Sequence, residues 1–284
     1  MTIFEEALKT IADAAVHGIR HDLTDAEYFA HSAINCSGLK LISSKTPLHF
    51  KHQQTAPRKE TAAMTIGSAV HCAVLEPEHF VQRYIVAPDV DKRTKAGKEA
   101  WAELEASGKV VLSASDYTMI SSIATSVMNH PTASKLLTGG AAEVAVFGEI
   151  DGVPAKCKCD YLREGVAIID LKTTDDAGDF SRSVSKWGYH QQAAWYQDVM
   201  ISIGQPVRAF IFVVVEKSAP YAVATYELSE EWIEIGRQQN QRALSLFKNC
   251  TESGKWFGYG EGIEMLSPPA WAMKQEELLT GEQA

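Results

Sequence analysis

Residues 143–171 constrain the fold more than any other part of the sequence. Residues 143–150 and 153–162 alternate between apolar and polar side chains, the period of two that is typical of strands, and residues 166–171 form a third strand-like segment. Asp151-Gly152 is a strong hairpin turn, and Arg163-Glu164-Gly165 forms a second turn. The sequence therefore predicts an antiparallel meander of three strands.

Helical and strand-like patterns continue on both sides of this meander. Before it, Ser37 is predicted to cap a helix over residues 38–43, Pro47 opens a short second helix, and further helices are predicted over residues 64–75, 95–108 and 113–137. After it, the pattern predicts a helix over 187–203, strands over 209–215 and 222–227, and a helix over 230–250. We expect one α/β domain over residues 1–284, with a mixed central sheet flanked by helices and with residues 1–30 as a loosely attached N-terminal segment.

Composition indicates a globular enzyme of the reducing cytoplasm. The chain is 45% hydrophobic and 22% charged, its longest apolar stretches are about strand length, and its N-terminus lacks the basic region of a signal peptide. Five cysteines form no disulfide-like framework. Cys157 and Cys159 could suggest a metal site, but structural zinc sites space their cysteines more widely and need a second pair, so two small strand residues are the favoured interpretation.

The net charge of -9 excludes a uniformly basic nucleic-acid binder. Any DNA contact must be local, and residues 40–59 and 92–98 are basic enough to supply it. The densest run of cations comprises Lys92, Arg93, Lys95 and Lys98. These residues are candidate DNA-binding residues, although charge runs are more often solvated surface.

Asp170-Leu171-Lys172 is the strongest chemical signal in the chain. The period of two places Asp170 and Lys172 on one face of a strand end, where we expect a partly exposed position. Asp160 ends the preceding strand, and antiparallel pairing brings it opposite Ile169 or Asp170. Two carboxylates and an ammonium group should therefore share one strand end.

Two carboxylates this close repel each other unless a cation lies between them, and hard oxygen ligands favour Mg²⁺ or Mn²⁺. Such a metal lowers the pKa of its bound water and stabilises charge on a phosphoryl oxygen, while a nearby lysine can orient the water. The pattern thus favours phosphodiester hydrolysis. A plain Asp/Lys salt bridge is the alternative, because a lone Asp-x-Lys motif is weak.

Several motifs resemble the PD-(D/E)xK nuclease superfamily, and within it the RecE-type exonucleases (exodeoxyribonuclease VIII). The superfamily signature is resembled by Asp160 together with the run Ile168-Ile169-Asp170-Leu171-Lys172-Thr173-Thr174. His71 matches the helix-borne histidine of RecB-like and RecE-like enzymes. Gln192 and Tyr196 match the family's Gln-x-x-x-Tyr helix. The RecE-type nuclease domain is also similar at both ends of the chain. The similar residues are Tyr28 and Ser37-Gly38-Leu39-Lys40 in the opening part, and Trp256-Phe257-Gly258-Tyr259 and Pro269-Ala270-Trp271 in the closing part.

The resemblance implies roles for individual residues. It implies that His71, Asp160, Asp170 and the backbone carbonyl of Leu171 contact metal and that Lys172 positions the attacking water. Without it, His71 would be read as a core histidine. Glu143 matches a further family acid, and Glu149 competes for that position. Gln192 and Tyr196 could brace Lys172 or touch the DNA backbone, and without the family they would be ordinary helix residues.

The implied activity is that of a Mg²⁺-dependent exodeoxyribonuclease, with Mn²⁺ able to substitute. Its substrate would be linear double-stranded DNA with a free end, degraded 5′ to 3′ to leave a single strand for a RecT-type annealing protein, by a ring-shaped homotetramer. Cys159 replaces the usual proline before the first aspartate, a position without a chemical role, and the four-cysteine iron-sulfur pattern of some relatives is absent, so no cluster is expected. A structure-selective or sequence-specific endonuclease and a non-catalytic DNA-binding adaptor are the alternatives.

Overall fold

A six-stranded mixed sheet organises the chain, for which this computed structural model describes residues 17–56, 61–91, 93–270 and 272–273. The strands lie in the order β1-β4-β5-β6-β7-β8, and only β6 and β7 pair in parallel. Their bounds are Gly18–Arg20 (β1), Ala141–Ile150 (β4), Val153–Arg163 (β5), Ala167–Thr174 (β6), Ala209–Glu216 (β7) and Val223–Glu227 (β8). A small parallel sheet pairs Tyr84–Val86 (β2) with Val110–Leu112 (β3).

The three-strand meander is confirmed as β4, β5 and β6. Ile150 pairs with Val153 across the two-residue turn, where Asp151 and Gly152 have φ values of 53° and 76°. Both residues thus adopt the left-handed conformation that a type I′ hairpin turn requires. This turn sets the register of the whole β4–β5 ladder, and with it the residues that face each other at the far end.

Helices cover both faces of the sheet. Their bounds are Asp25–Ala30 (α1), Cys36–Ser44 (α2), Pro47–Thr55 (α3), Ala62–Leu75 (α4), Pro77–Arg83 (α5), Lys95–Ala106 (α6), Ala114–Asn129 (α7), Ala133–Leu136 (α8), Phe180–Trp187 (α9), Tyr189–Ser202 (α10) and Glu230–Ser253 (α11). The predicted cap at Ser37 is wrong, since the side chain of Asn35 accepts the hydrogen bond from the Gly38 N–H and α2 begins at Cys36. Pro47 lies in the first turn of α3, as predicted.

Two predicted helices are each divided in the structure. The helix expected over 113–137 is interrupted at His130, because Pro131 disfavours a helical conformation in the residue before it. The helix expected over 187–203 begins only at Tyr189, because Trp187 ends α9 and Gly188 has a φ of 62°. That left-handed glycine reorients the chain between α9 and α10.

The hydrophobic core lies in two layers, one on each face of the sheet. Ile168 on β6 packs with α2, α10 and α11 on one face, whereas Ile169 and Leu171 pack with α4 and α7 on the other. Asp170 has the parity of Ile168 and is fully buried on the α10 side. Alternation along β6 therefore places one carboxylate inside an otherwise apolar layer.

Part of the N-terminal segment expected to be loosely attached belongs to the sheet. Gly18–Arg20 pairs with β4, and Tyr28 of α1 is buried with Phe147. Residues 1–16 lie outside the described residues. None of the helices in the described ranges combines the length and the apolarity needed to cross a membrane.

Candidate metal centre

Three carboxylates occupy one row across the meander. The β4–β5 register pairs Ala142 with Tyr161 and Val144 with Cys159, so that Glu143 faces Asp160. The β5–β6 register pairs Tyr161 with Ile169, and the next step places Asp170 on the other side of Asp160. Of the two partners expected for Asp160, Asp170 is therefore the one that faces it. Like charges directly opposite each other destabilise a sheet.

His71 joins this row from α4. Its Nδ1 lies 3.6 Å from Oδ2 of Asp160, and one ligand atom each from His71, Glu143 and Asp160 lie within 4.8 Å of one another. The side chains of His71 and Asp160 are 27% and 16% exposed, so both open to solvent rather than closing into the core. One nitrogen and two carboxylate groups converge here on a volume that one cation could fill.

The charge on Asp160 is not balanced by the protein. Burial and the adjacent charge of Asp170 raise the pKa of Asp160 to about 6, although His71 and Lys172 act in the opposite direction. The Leu171 N–H donates a hydrogen bond to Asp160 Oδ2 over 2.9 Å, which fixes the carboxylate. A divalent cation would relieve the repulsion that raises this pKa, so the donor set and its electrostatics fit a metal.

Glu143 is held in a strained conformation. Its φ of 55° is rare for a residue with a side chain, and it lies inside a strand rather than in a turn. Oε2 of Glu143 forms an ion pair of 2.6 Å with Nζ of Lys158, which also pairs with Asp25. Glu149 lies beside the β4–β5 turn, opposite Pro154, and lines a different cavity. Glu143 is thus the glutamate next to His71 and Asp160.

Asp170 and Lys172 form a buried ion pair behind the row. Oδ2 of Asp170 contacts Nζ of Lys172, and its Oδ1 accepts a hydrogen bond of 2.6 Å from Nε2 of Gln192. Burial disfavours the charged form of Lys172, yet the charges of Asp170 and Asp160 outweigh it and raise the pKa of the ammonium group. Asp170 is not among the three residues whose ligand atoms cluster around one point.

The strand end is partly exposed at Lys172, as expected, but not at Asp170. Lys172 is 16% exposed and Asp170 is fully buried, because α10 covers this part of β6. Gln192 contacts Asp170 and not Lys172, so it braces the lysine only through the carboxylate. Tyr196, one turn later, lines the cavity that contains His71 and Glu143, and burial raises its pKa well above the ordinary range.

Two residues of the centre were missed by the sequence analysis. Lys158 precedes Asp160 by two residues on β5, so the period of two could have placed it on the same face. Tyr189 lies beneath Lys172, with the ammonium nitrogen 4.9 Å from the ring centroid. Its position depends on the break at Gly188, which the predicted continuous helix overlooked.

The remaining predicted residues lie away from this row or have a different environment. The N–H of Leu171 contacts Asp160, while a metal contact by its carbonyl stays a prediction. Of the basic run, Lys92 lies outside the described residues, Arg93 pairs with Asp91, and Nζ of Lys95 is 3.9 Å from Glu99. Of the described members of the run, neither Arg93, Lys95 nor Lys98 lines the cavity of about 850 Å³ in front of the metal centre. Cys157 and Cys159 are buried in the core on β5.

Comparison with known proteins assigns this fold to a family. A family model described as a PDDEXK-like domain of unknown function (DUF3799) matches residues 35–269. The chain belongs to this family. The expected PD-(D/E)xK superfamily and its fold are therefore confirmed, and Asp160, Asp170 and Lys172 lie within the matched residues.

One solved structure supports the same fold. A protein described as a putative exonuclease from Eubacterium rectale superposes with a TM-score of 0.58 at 16% identity, covering 89% of this chain and 98% of its own. A phage related exonuclease from Haemophilus somnus 129PT covers 78% of this chain and 96% of its own at 14% identity, but with a TM-score of 0.29 it adds nothing to the argument. No curated protein matches the chain at a significant level.

Proposed function

We propose that this chain is a Mg²⁺-dependent exodeoxyribonuclease that hydrolyses linear double-stranded DNA from a free end. The observation that carries the proposal is the cluster of His71, Glu143 and Asp160, with the Asp170–Lys172 pair directly behind it. A histidine and carboxylates around one point suit a divalent cation, and an ammonium group beside them suits a substrate that carries phosphate.

The side chains of the centre divide the work. When bound, a divalent cation supplies Lewis acidity and a water of lowered pKa. His71, Glu143 and Asp160 would hold the cation, and Asp170 and the Leu171 carbonyl would be its further ligands. Lys172 is fixed between Asp170 and the ring of Tyr189, so its remaining N–H donors can orient the attacking water and offset the charge that develops on the phosphoryl group. Gln192 holds Asp170 in place for both roles.

The resemblance to RecE-type enzymes supports the finer parts of the proposal. These are 5′-to-3′ polarity, release of a 3′ single strand to a RecT-type annealing protein, and a ring-shaped homotetramer that encloses the duplex. Mn²⁺ should replace Mg²⁺ in cleavage, whereas Ca²⁺ should support DNA binding without cleavage, because its larger and looser ligand shell positions water poorly.

The deciding experiment compares end-labelled linear duplex with closed circular duplex of the same sequence in the presence of Mg²⁺. We expect the linear form to be consumed while the circle survives the same amount of enzyme. A blocking phosphorothioate at one terminus or the other reports polarity, and sedimentation reports the oligomeric state. Cleavage of the circle at a similar rate would instead identify an endonuclease.

A non-catalytic adaptor is the alternative of another class. It would bind DNA but leave both forms intact with Mg²⁺ and with Mn²⁺. This alternative is disfavoured because Asp160, Asp170 and Lys172 are all present and lie beside one another on β5 and β6.

A further inference from the structure

A second large cavity lies on the side of α10 that the metal centre does not use. It has a volume of about 780 Å³ and lies between the α2–α3 connection, the α9–α10 junction, α11 and the segment that follows α11. We call it the basic groove, because its charged lining residues are Lys40, Lys45, Lys186 and Arg242, and none of the carboxylates in the described ranges lines it. Such a surface on a chain of net charge -9 attracts a polyanion.

Aromatic rings are interleaved with these cations. Trp187 and Tyr259 line the groove with 55% and 72% of their surface exposed, and Phe257 also lines it and is half exposed. Lys186 covers the Trp187 ring with its ammonium group 4.8 Å from the centroid. Large exposed rings are costly in water, and rings beside cations form a stacking surface for nucleobases.

The groove ends next to the metal centre. Nζ of Lys40 donates a hydrogen bond of 3.0 Å to the Trp187 carbonyl and lies 5.7 Å from the ring centroid of Tyr189. Lys172 lies 4.9 Å from the centroid of the same ring. One tyrosine therefore separates the groove from the proposed catalytic lysine, and a chain of phosphates could pass from one lysine to the other.

The backbone at this junction favours glycine, because residue 188 has a positive φ that other residues rarely adopt. Gly188 adopts a φ of 62°, and a Cβ there would lie 2.8 Å from Oε1 of Gln191 and 3.3 Å from Cε of Lys40. The left-handed glycine thus lets α9 end and α10 begin at the mouth of the groove, with Trp187 turned outwards and Tyr189 turned towards Lys172.

We infer that the basic groove binds a single strand of DNA adjacent to the phosphate that is hydrolysed. Duplex DNA would present phosphates to the cations but not base faces to the rings, because paired bases are stacked on each other, so the aromatic lining favours an unpaired strand. The identity of the polyanion as DNA rests on the proposed function. The groove itself rests on the four cations and the exposed rings.

The test measures the affinity of the full-length protein for two labelled DNA molecules, an oligo(dT) and a blunt-ended hairpin duplex. Both measurements are made in EDTA so that neither DNA is cleaved. Trp187→Ala and Tyr259→Ala should each weaken oligo(dT) binding about tenfold, and Trp187→Phe should restore most of the loss. Arg242→Gln should lower the slope of log affinity against log salt by about 0.7. The matched control Lys135→Gln removes an exposed lysine outside the groove and should change neither quantity.

Three outcomes would overturn the groove assignment. The first is unchanged oligo(dT) affinity in the Trp187→Ala/Tyr259→Ala double variant with an unaltered melting temperature. The second is an equal loss for the hairpin duplex, since that would make the groove a duplex site. The third is a change in oligomeric state without a change in DNA affinity, which would make it a contact between copies of the chain. Cleavage of linear duplex by the parent is measured separately, so the nuclease proposal can fail while the groove assignment stands, and the reverse.

Discussion

The two large cavities of this protein carry opposite charge. Among the residues that the structure describes, the cavity in front of the metal centre is lined by five carboxylates, from Asp22, Asp25, Glu76, Glu143 and Asp160, whereas the basic groove is lined by four lysines and arginines and no carboxylate. A net charge of -9 averages over both and describes neither. If the proposed function is correct, the charge that attracts the substrate and the charge that holds the cation lie on different sides of α10.

The acidic cavity also shows how the protein leaves one charge unbalanced. Glu76 pairs with Arg83 at 2.6 Å, and Glu143 pairs with Lys158. In the part of the chain that the structure describes, Asp160 has only His71 as an ion-pair partner, and its pKa is raised to about 6. Without a bound metal, the electrostatic repulsion in the site therefore acts mainly on Asp160, the residue at the middle of the row.

The largest expected effect separates catalysis from binding. Lys172→Ala should reduce cleavage of linear duplex by about 10²- to 10⁴-fold, because the ammonium group acts on the transition state, while oligo(dT) binding to the basic groove changes little. Single-turnover rates and anisotropy measure the two quantities. A cleavage rate within threefold of the parent would remove Lys172 from the mechanism.

The same variant should also be less stable without metal, contrary to what a solvent-exposed lysine would predict. It leaves the fully buried Asp170 without its cation, and an unpaired buried charge is destabilising. The double variant Asp170→Asn/Lys172→Ala should recover much of the lost melting temperature. If it does not, the loss has another cause than the uncompensated carboxylate.

Asp160→Asn should exchange metal affinity for apo stability. Because the folded-state pKa of about 6 lies above the ordinary value of 3.8, the folded state binds the proton more tightly, and the stability of the apo protein falls as pH rises between these values. Above pH 6 the variant should be more stable than the parent without metal, by at most about 3 kcal/mol, and the two should converge near pH 4. Melting curves at both pH values check this.

Titration with Mn²⁺ completes that comparison. The parent should gain stability with Mn²⁺ at pH 8, and Asp160→Asn should gain little, since it has lost a ligand charge. Asp170→Asn should also weaken binding, because Asp170 is proposed to become a ligand. Unchanged affinity in both variants, measured by calorimetry, would contradict the proposed ligand set.

A smaller effect of opposite sign is expected at Lys158. This lysine neutralises Glu143 and lies on the edge of the acidic cavity, so Lys158→Gln removes a cation that competes with the metal. Mn²⁺ affinity should rise severalfold, as expected for one like charge removed near a partly exposed site. Lys135→Gln, at an exposed position outside the cavity, is the matched control. Weaker Mn²⁺ binding in Lys158→Gln alone would show that the lysine holds Glu143 in its binding position.

The row of carboxylates formed by Glu143, Asp160 and Asp170 was largely predictable from local sequence rules. The Asp151-Gly152 turn pairs Ile150 with Val153, and counting back along both strands places Glu143 opposite Asp160 without any tertiary information. The same counting would have resolved the choice between Glu143 and Glu149, since six residues along a strand span about 20 Å.

The groove and the burial of Asp170 were not predictable in this way. Both depend on α10, whose placement follows from a left-handed glycine at residue 188 and from contacts with residues far away in sequence, such as Lys40 and Asp170. Periodicity describes which face of a helix is apolar, but it does not say which strand end the helix covers. The resemblance to a family identified Gln192, and only the structure shows that it contacts Asp170.

The smallest effect is expected from the run formed by Lys92, Arg93, Lys95 and Lys98, which was the first candidate for the DNA track. Arg93 already pairs with Asp91, Lys95 lies near Glu99, and no described member of the run lines the acidic cavity or the basic groove. A cation with a carboxylate neighbour releases fewer counterions on meeting a phosphate, so neutralising all four should lower the salt slope for duplex DNA by less than the roughly four units that four free contacts would give. Turnover on a saturating short substrate should not change.

The measurement is duplex affinity across a salt series for the parent, the quadruple variant and Arg242→Gln. The three slopes compare the contribution of the run with that of the basic groove. A loss of about four units of slope in the quadruple variant would return the DNA track to α6 and the residues before it. Identical slopes for parent and quadruple variant would assign the run to solvated surface.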